Sequence, residues 1–237
     1  ITTDNIINAS EANQDITITG TVGDDVQVGD TVTLTVNGQT STGLVQEDNT
    51  FSIAVSGSDL AADTSISASV TITDKAGNIT TATDDNSYSV DITPPSASIT
   101  LDTIATDNII NASESTQNIT ITGTVGNDIQ AGDTVTLTIN GQSTEGQVNE
   151  NGNFSIAVSG SNLALDADTS IEASVTTTDT AGNSTTVTVD KIYSVDTQAP
   201  TLSLSSPNDG EEDVAVSSNI VLTFSEDVNV GSGDIVI

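Results

Sequence analysis

The chain of 237 residues contains no cysteine, methionine, tryptophan, histidine or arginine, and its only basic residues are Lys75 and Lys191. Transition-metal sites are not expected without histidine or cysteine. Nucleic acid and anionic lipid are not expected partners, because both bind clustered cations. We find no signal peptide, transmembrane run or anchor. Catalysis is also not expected, because histidine, cysteine and arginine are missing and no acid pair isolated in an apolar pocket can be read from the sequence.

Acidic residues are abundant by contrast, with 34 aspartates and glutamates and a formal net charge of −32. A folded chain with this much charge of one sign repels itself, and bound cations would relieve that repulsion. Strong acidity is also typical of disordered segments. Regular strand patterning along the chain argues against disorder here.

Two long stretches of the sequence repeat. The segment Asp4–Glu11 (DNIINASE) recurs at Asp107–Glu114, an offset of 103 positions from 4 to 107, and the offset becomes 105 by the time Asp74 recurs as Asp179. Two residues are therefore inserted in the second copy, within residues 163–168. A unit of about 100 residues can enclose its own hydrophobic core, unlike the short repeats of solenoids.

Alternation of apolar and polar residues predicts strands throughout both copies. Val135, Leu137 and Ile139 alternate with threonines, and Asn140-Gly141 predicts a two-residue hairpin turn. In the second copy we expect strands A to G at 96–103, 117–125, 134–140, 143–149, 153–159, 170–178 and 184–195. No window has helical periodicity. Short strands at this spacing predict an all-β fold of tandem antiparallel Ig-like β-sandwiches with Greek-key topology, arranged as an elongated array.

Three domains are expected. Residues 1–93 form a first Ig-like repeat without its first strand, so the chain is expected to begin inside a domain. Residues 94–197 form a second repeat, and 198–237 form the N-terminal part of a truncated third domain that ends in its strand C. The linkers Asp91–Pro95 and Asp196–Pro200 contain proline, which holds the preceding residue extended and makes these connections stiff.

Acidic residues concentrate in loops that face the linkers. The AB and EF loops of one domain point towards the next domain, whose BC and FG loops point back. Clustered carboxylates with no basic partner favour a hard divalent cation with oxygen ligands, which selects Ca²⁺. The candidate metal ligands are Asp4, Asn5, Glu11, Asp63, Asp74, Asn78, Asp91, Asp107, Asn108, Glu114, Asp128, Asp133, Asp166, Asp168, Asp179, Asn183, Asp196, Glu226 and Asp227. Each motif also has a plainer interpretation; Asp-x-Ala-Gly-Asn fits an ordinary hairpin in which Asp caps its own backbone.

Four motifs together resemble the bacterial Ig-like (Bap-like) domains of giant type I-secreted RTX-type adhesins: Asp-Asn-x-Ile-Asn-x-x-Glu, Gly-Thr-Val-Gly, Asp-x-Ala-Gly-Asn and Val-Asp-x-x-x-Pro. The segment from Pro207 to Asp227 resembles an Ig-like subtype of surface-layer proteins and adhesins. The resemblance implies display on the bacterial cell surface, Ca²⁺ between domains and a spacer role. The Gly-rich RTX nonapeptide array is missing, as are the cysteine pair and core tryptophan of antibody domains.

Two functions follow. The first is a Ca²⁺-rigidified extender of a biofilm or surface adhesin, whose partners are the neighbouring Ig-like domains and whose host, abiotic or matrix ligand binds elsewhere in the full protein. The alternative is a module that itself binds carbohydrate or a protein receptor. Sugar sites usually present exposed aromatic rings. Four of the five aromatic residues recur in register and are predicted to be core or sheet positions: Phe51, Phe154, Tyr88 and Tyr193. Rows of Thr-x-Thr suggest an ice-binding face, yet threonine is simply favourable on the outward side of strands.

Overall fold

The computed structural model describes residues 1–23 and 25–229. The first repeat has a short 3₁₀ turn at Glu11–Asn13, one helix and eight strands. The strands are β1 Ile6–Asn8, β2 Asp15–Thr21, β3 Thr31–Val36, β4 Gln39–Leu44, β5 Thr50–Ser56, β6 Ser65–Thr73, β7 Ile79–Ser87 and β8 Ser89–Asp91, and helix α1 is Gly57–Ala61.

The second repeat has the same elements and, at its start, one further strand and one further 3₁₀ turn. Its strands are β9 Ala97–Leu101, β10 Ile109–Asn111, β11 Asn118–Asn127, β12 Thr134–Ile139, β13 Gln142–Gln147, β14 Asn153–Ser159, β15 Ser170–Thr178, β16 Ser184–Ile192 and β17 Ser194–Asp196; helix α2 is Gly160–Leu165, and 3₁₀ turns lie at Ile104–Thr106 and Glu114–Thr116. Beyond it, β18 Leu202–Ser206 pairs antiparallel with β19 Val221–Phe224. The predicted end of the third domain in strand C falls on residues 230–237, outside the described residues.

Each repeat is a two-layer sandwich. In the second repeat, strands β14-β11-β9 form one antiparallel sheet and β13-β12-β15-β16 form the other. The first repeat has β4-β3-β6-β7 opposite β2-β5, and its described residues place no strand beside β2 where β9 lies beside β11. The predicted all-β fold of tandem sandwiches is therefore confirmed.

The alternating apolar residues form two separate cores, one in each repeat. Val135, Leu137 and Ile171 are fully buried between the sheets of the second repeat. Phe51 and Phe154, which recur in register, are buried in both repeats. The structure has 14638 Å² of accessible surface, whereas one compact globule of this mass is expected to have about 10,000 Å². Each repeat thus keeps a core and a surface of its own.

The predicted Asn-Gly hairpins are confirmed. Asn37 and Gly38 have φ values of 50° and 72°, and Asn140 and Gly141 have 49° and 72°. Two successive positive φ angles define the type I′ turn, whose twist matches that of the strands it joins.

Two predicted loops are more ordered than their sequence indicates. In the AB segments, β1 pairs parallel with β8 and β10 pairs parallel with β17. The EF segments contain α1 and α2, which are too short to show helical periodicity. Each begins at a glycine, because a Cβ on Gly57 or Gly160 would lie 2.0 Å from a carbonyl oxygen of the neighbouring 3₁₀ turn. Within the described residues no helix is both long and apolar enough to cross a membrane.

Candidate junction site between the repeats

The C-terminal end of repeat 1 holds Glu11, Asn8 and Asp91 side by side. Parallel pairing of β1 with β8 sets Asn8 opposite Asp91. The Asn8 backbone N–H donates to Glu11 Oε2 at 3.0 Å, and the Asn8 side-chain oxygen accepts the N–H groups of Ser10 and Glu11. We call these three residues the end triad of repeat 1.

Repeat 2 builds the same arrangement at its own C-terminal end. Asn111 lies opposite Asp196, and its N–H donates to Glu114 Oε2 at 3.0 Å. The Asn111 side-chain oxygen accepts the N–H of Ser113 at 2.9 Å and that of Glu114 at 3.0 Å. The end triad of repeat 2 is therefore Asn111, Glu114 and Asp196.

At the opposite end of repeat 2, the FG loop is organised by Asp179. One carboxylate oxygen accepts the N–H groups of Ala181 and Asn183 at 3.0 and 2.9 Å, and the other accepts the Asn183 amide at 3.0 Å. The Asn183 amide and these N–H groups lower the pKa of Asp179. Asp74 and Asn78 make the same bonds in repeat 1, so this loop forms in both repeats.

Asn183 then crosses the junction. Its side-chain oxygen accepts the Ala9 N–H at 2.8 Å, and its amide donates to the Asp91 carbonyl oxygen at 2.8 Å. Asn183 is 5% exposed and Ala181 is 1% exposed, whereas their counterparts in repeat 1, Asn78 and Ala76, are exposed. The FG loop of repeat 2 therefore packs on the AB segment and linker of repeat 1.

The start of repeat 2 is also fastened to its own loops. Asp128 Oδ2 accepts the backbone N–H of Ser96 at 2.8 Å and its hydroxyl at 2.9 Å, which lowers the pKa of Asp128. The Thr185 hydroxyl donates to the Pro95 carbonyl oxygen at 2.5 Å. Asp133 caps its own BC loop by accepting the Gln130 N–H at 2.9 Å.

The EF acids bind within their own repeats. Asp63 accepts the N–H of Asn37 at 2.9 Å, and this bond, followed by the one from Thr64, lowers the pKa of Asp63. In repeat 2 the Tyr193 hydroxyl lies 2.9 Å from Asp166 Oδ2, and Asp166 and Asp168 both accept the Ser170 N–H. These carboxylates tie the EF segment to the hairpin turn or to the next strand.

The first acids of the AB segments also act locally. Asp4 accepts the Ile6 N–H at 3.1 Å and the Thr2 hydroxyl at 2.9 Å, which together lower its pKa. The Asn5 amide donates to the Ser87 carbonyl oxygen at 2.9 Å. In repeat 2, Asp107 accepts the N–H of Ile109 and Asn108 accepts that of Ile104, each at 2.9 Å.

The second linker has fewer contacts. Asp196 Oδ1 accepts the Gln198 N–H at 3.1 Å. Up to Asn229, no other described hydrogen bond joins residues 198 onward to repeat 2, and Glu226 and Asp227 make none with it. The structure therefore brings AB, linker and FG residues together at the first junction.

The free carboxylate oxygens at the end triad of repeat 1 could act as ligands of a divalent cation. Glu11 and Asp91 each use one carboxylate oxygen to accept a backbone N–H, from Asn8 and Thr93 respectively. No hydrogen bond to the second oxygen of either group occurs among the described residues. No group of three or more His, Cys, Asp or Glu side chains in that part of the chain lies close enough to hold a metal ion. A Ca²⁺ ion here would need amide, backbone or water oxygens beside two carboxylates, a ligand set that Ca²⁺ accepts.

Sequence reasoning did not single out three residues of this junction. The backbone N–H of Ala9 donates to the Asn183 side chain, and Ala181 is buried at the junction. The Thr185 hydroxyl donates to the carbonyl oxygen of Pro95 in the linker. Alanine and threonine have no metal-binding signature, so only the register between the two repeats could have drawn attention to them.

The fold and the junction define tandem Ig-like sandwiches, and comparisons with known proteins agree. The family described as bacterial Ig-like domain matches residues 196–237. The chain is 44% identical to the Ca²⁺-stabilised adhesin with which an Antarctic bacterium binds ice, with a TM-score of 0.78 over 85% of this chain and 49% of that one. It is 43% identical to part of a 1.5-MDa bacterial ice-binding adhesin, with a TM-score of 0.71 over 84% of this chain and 63% of that one.

A bacterial immunoglobulin-like domain of the M. primoryensis ice-binding adhesin is 42% identical, with a TM-score of 0.41, and the match covers 43% of this chain and 99% of that one. No curated protein sequence matches the chain. The chain belongs to the bacterial Ig-like domains, and its repeats are similar to those of large adhesins. It spans about half to two thirds of the first two structures that it matches.

Proposed function

We propose that this chain is an extender segment of a large bacterial surface adhesin, made of stiffly joined repeats that hold a binding domain away from the cell. The observation that carries this proposal is the Asn183 side chain, buried at the junction and hydrogen-bonded to two backbone groups of the preceding repeat. A flexible tether would not bury a polar side chain against its neighbour, because the amide loses its water and needs partners fixed in place. Surface display, type I secretion and a role in biofilms belong to the same proposal.

Ca²⁺ is proposed as the ion that stiffens the junctions. The end triads present carboxylates beside each linker, and the chain carries 34 acids against two lysines. When bound, a divalent cation supplies the positive charge that the chain itself lacks. The chain's own residues then do the positioning: Asn8 fixes Glu11, and β8 fixes Asp91 beside it.

The domain division belongs to this proposal as well, with repeats at 1–93 and 94–197 and part of a third at 198–237. Binding of the adhesin's target is assigned to another part of the full protein, and no catalytic role is proposed. The relatives' own actions on ice are not needed for an extender.

Calorimetric titration of the whole chain with Ca²⁺ tests the ion assignment. We expect saturable binding that weakens in the Glu11→Gln and Asp91→Asn variants, which keep side-chain size and the bonds to Asn8 and Thr93 but remove charge. Asp48→Asn is the matched control, because Asp48 caps Thr50 within its own turn, away from the triad. Equal weakening in all three variants would point to a diffuse charge effect and contradict a site at the triad.

A further inference from the structure

The two repeats contain the same Asn-Gly turn in nearly the same local sequence. Val36-Asn37-Gly38-Gln39 joins β3 to β4, and Ile139-Asn140-Gly141-Gln142 joins β12 to β13. The asparagine and the glycine are exposed in both turns, and their φ angles are nearly the same. The two turns therefore differ mainly in what surrounds them.

In repeat 1 the EF segment holds the turn from outside. The Asn37 backbone N–H donates to Asp63 Oδ2 at 2.9 Å, and the Asn37 side-chain amide donates to Asp59 Oδ1 at 3.2 Å. Hydrogen bonds to a carboxylate are stronger than those between neutral groups. Both the backbone and the side chain of Asn37 are therefore fastened to α1 and the residues that follow it.

In repeat 2 the matching residues of the EF segment do not hold the turn. The position of Asp59 is taken by Asn162, and Asp168, the counterpart of Asp63, accepts the N–H of Ser170. The two residues inserted between these positions accompany an α2 that is one residue longer than α1. The bonds that fasten the turn of repeat 1 are therefore not repeated.

Asn140 lies instead at an open cleft. Within the described part of the chain, none of the loop or side-chain hydrogen bonds involves Asn140 or Gly141. Asn140 lines a cleft of about 500 Å³ together with Asp166 and Asp168. Each turn thus lies beside carboxylates of its own EF segment, so hydrogen bonding rather than nearby charge distinguishes the two turns.

We propose that Asn140 is a site of spontaneous deamidation, which converts its neutral amide into a carboxylate. The backbone nitrogen of Gly141 attacks Asn140 Cγ, where a C–N bond forms. The bond from Cγ to the side-chain nitrogen breaks, and that nitrogen leaves as ammonia with the proton of the Gly141 N–H. Water then opens the cyclic imide at either carbonyl carbon and leaves aspartate or isoaspartate. Glycine favours the attack because it has no side chain beside its nitrogen, and asparagine is a thermolabile residue.

Opening of the turn controls the rate of this reaction. Ring closure needs a backbone conformation different from that of the type I′ turn, so it occurs in the fraction of molecules in which the turn is locally open. In repeat 1 the bonds to Asp59 and Asp63 must break first. One hydrogen bond to a carboxylate is enough to change an opening equilibrium by about tenfold. Asn140 should therefore deamidate at least about tenfold faster than Asn37.

The third Asn-Gly pair of the chain, Asn151-Gly152, is restrained in another way. The Gly152 N–H donates to the Asn149 carbonyl oxygen at 3.0 Å, and the Asn151 N–H donates to the Asn149 side-chain oxygen at 2.9 Å. The attacking nitrogen is already in a hydrogen bond there. Asn151 should therefore also convert more slowly than Asn140.

The product changes both the cleft and the hairpin. Each conversion adds a negative charge beside Asp166 and Asp168, which already line the cleft. The isoaspartate form also lengthens the main chain between β12 and β13. Because the register of a hairpin is fixed by the length of its turn, pairing of β13 with β12 is expected to loosen.

Incubation of the whole chain in mildly alkaline buffer, followed by peptide mapping with electron-transfer mass spectrometry, measures conversion at each asparagine and separates aspartate from isoaspartate. We expect Asn140 to convert first, at least about tenfold faster than Asn37. Concentrated urea is the control, because two turns with nearly the same local sequence should convert at similar rates once the chain is unfolded. Equal rates at Asn37 and Asn140 in the folded chain, faster conversion of Asn151, or a difference between Asn37 and Asn140 that persists in urea would overturn the proposal.

Two variants of repeat 1 test the cause of the difference. Asp59→Ala and Asp63→Ala each remove one bond to Asn37 and should raise its rate towards that of Asn140, with melting curves to establish that each variant is folded. Asp48→Ala removes a carboxylate from a different turn and should leave the rate at Asn37 unchanged. An unchanged Asn37 rate in both folded variants, or an equal increase in the Asp48→Ala chain, would show that these bonds do not protect the turn and would overturn the proposal.

Discussion

The two linkers of this chain follow end triads of the same design, yet they meet the next segment differently. Glu11, Asn8 and Asp91 precede the first linker, and the matching residues of repeat 2 precede the second. At the first linker Asn183 joins the repeats by two hydrogen bonds. At the second, the described residues show a single bond, from Gln198 to Asp196 within the linker itself.

The end triads and Asn183 therefore have different roles at a junction. The triads form identically whether or not an FG loop lies against them, so their geometry is a property of each repeat alone. Orientation between repeats comes instead from a neutral amide on the following repeat. A carboxylate in that place could not donate to the Asp91 carbonyl oxygen and would face Asp179 as a like charge. Acids therefore provide the charge at a junction, while the amide specifies how the repeats are aligned.

The largest effect is expected when bulk and charge are placed inside the first junction. Ala181→Glu should force the repeats apart and weaken their coupling by about 2–4 kcal/mol, because the site is buried and has no partner for a carboxylate. Residual dipolar couplings report the relative orientation of the repeats. Ala76→Glu, at the exposed matching position, is the control and should leave that orientation unchanged; equal effects of the two variants would contradict a specific junction.

Asn183→Asp removes the crossing donor with almost no change in shape. We expect a loss of about 1–3 kcal/mol in coupling between the repeats, since the Asp91 carbonyl oxygen loses its partner and two carboxylates approach each other. The shift between the melting transitions of the repeats, with and without the substitution, measures this loss. Asn78→Asp changes the equivalent FG loop where no repeat packs on it, so a matching loss there would show that only loop stability had changed.

A smaller effect is expected from Thr185→Val. The substitution removes the bond to the Pro95 carbonyl oxygen at similar volume, and a single neutral hydrogen bond contributes about 0.5–1.5 kcal/mol. Amide exchange in the linker should accelerate, while the cores of both repeats keep their protection. Thr80→Val, in the exposed counterpart, should have no such effect; unchanged linker exchange in Thr185→Val would remove this residue from the junction.

The smallest effect at neutral pH is expected from protonation of the FG loop. Hydrogen bonds from Asn183 and the loop N–H groups lower the pKa of Asp179, and the Asn78 bonds lower that of Asp74. A carboxyl with a lowered folded pKa adds stability that is present above its unfolded pKa of about 3.9 and is lost as the pH falls through the folded value. Both loops should therefore loosen below about pH 4. NMR pH titration should show inter-repeat reorientation in the same range, and an orientation that survives loss of the Asp179 loop would contradict its role.

Much of the fold could be predicted because the signals are local. Alternating residues such as Val135 and Leu137 fix strands and their inward faces, and Asn140-Gly141 fixes a turn. The two short helices were not predicted, because a segment of five or six residues is too short to show helical periodicity. The parallel pairing of β1 with β8 joins segments more than 80 positions apart and leaves no local pattern.

The candidate site was harder to predict. Residue type and the order of the strands predicted that the AB segment, the linker and the FG loop meet at one junction, as they do. They could not reveal that Asp63 and Asp166 are taken up by contacts inside their own repeats, or that Asn183 donates across to backbone atoms. Side-chain partners depend on distances that the sequence does not contain. The assignment of individual Ca²⁺ ligands stays a prediction.

Small-angle X-ray scattering of the whole chain, in millimolar Ca²⁺ and again with a chelator in excess, tests the extender proposal most directly. We predict a long, well-defined maximum dimension with Ca²⁺, and a shorter, broader distribution of distances once the ion is removed, as carboxylates at the linkers lose their counter-charge. The Asn183→Asp chain should move part of the way towards the second profile even in Ca²⁺. Identical scattering of the unmodified chain in both conditions would contradict stiffening by calcium.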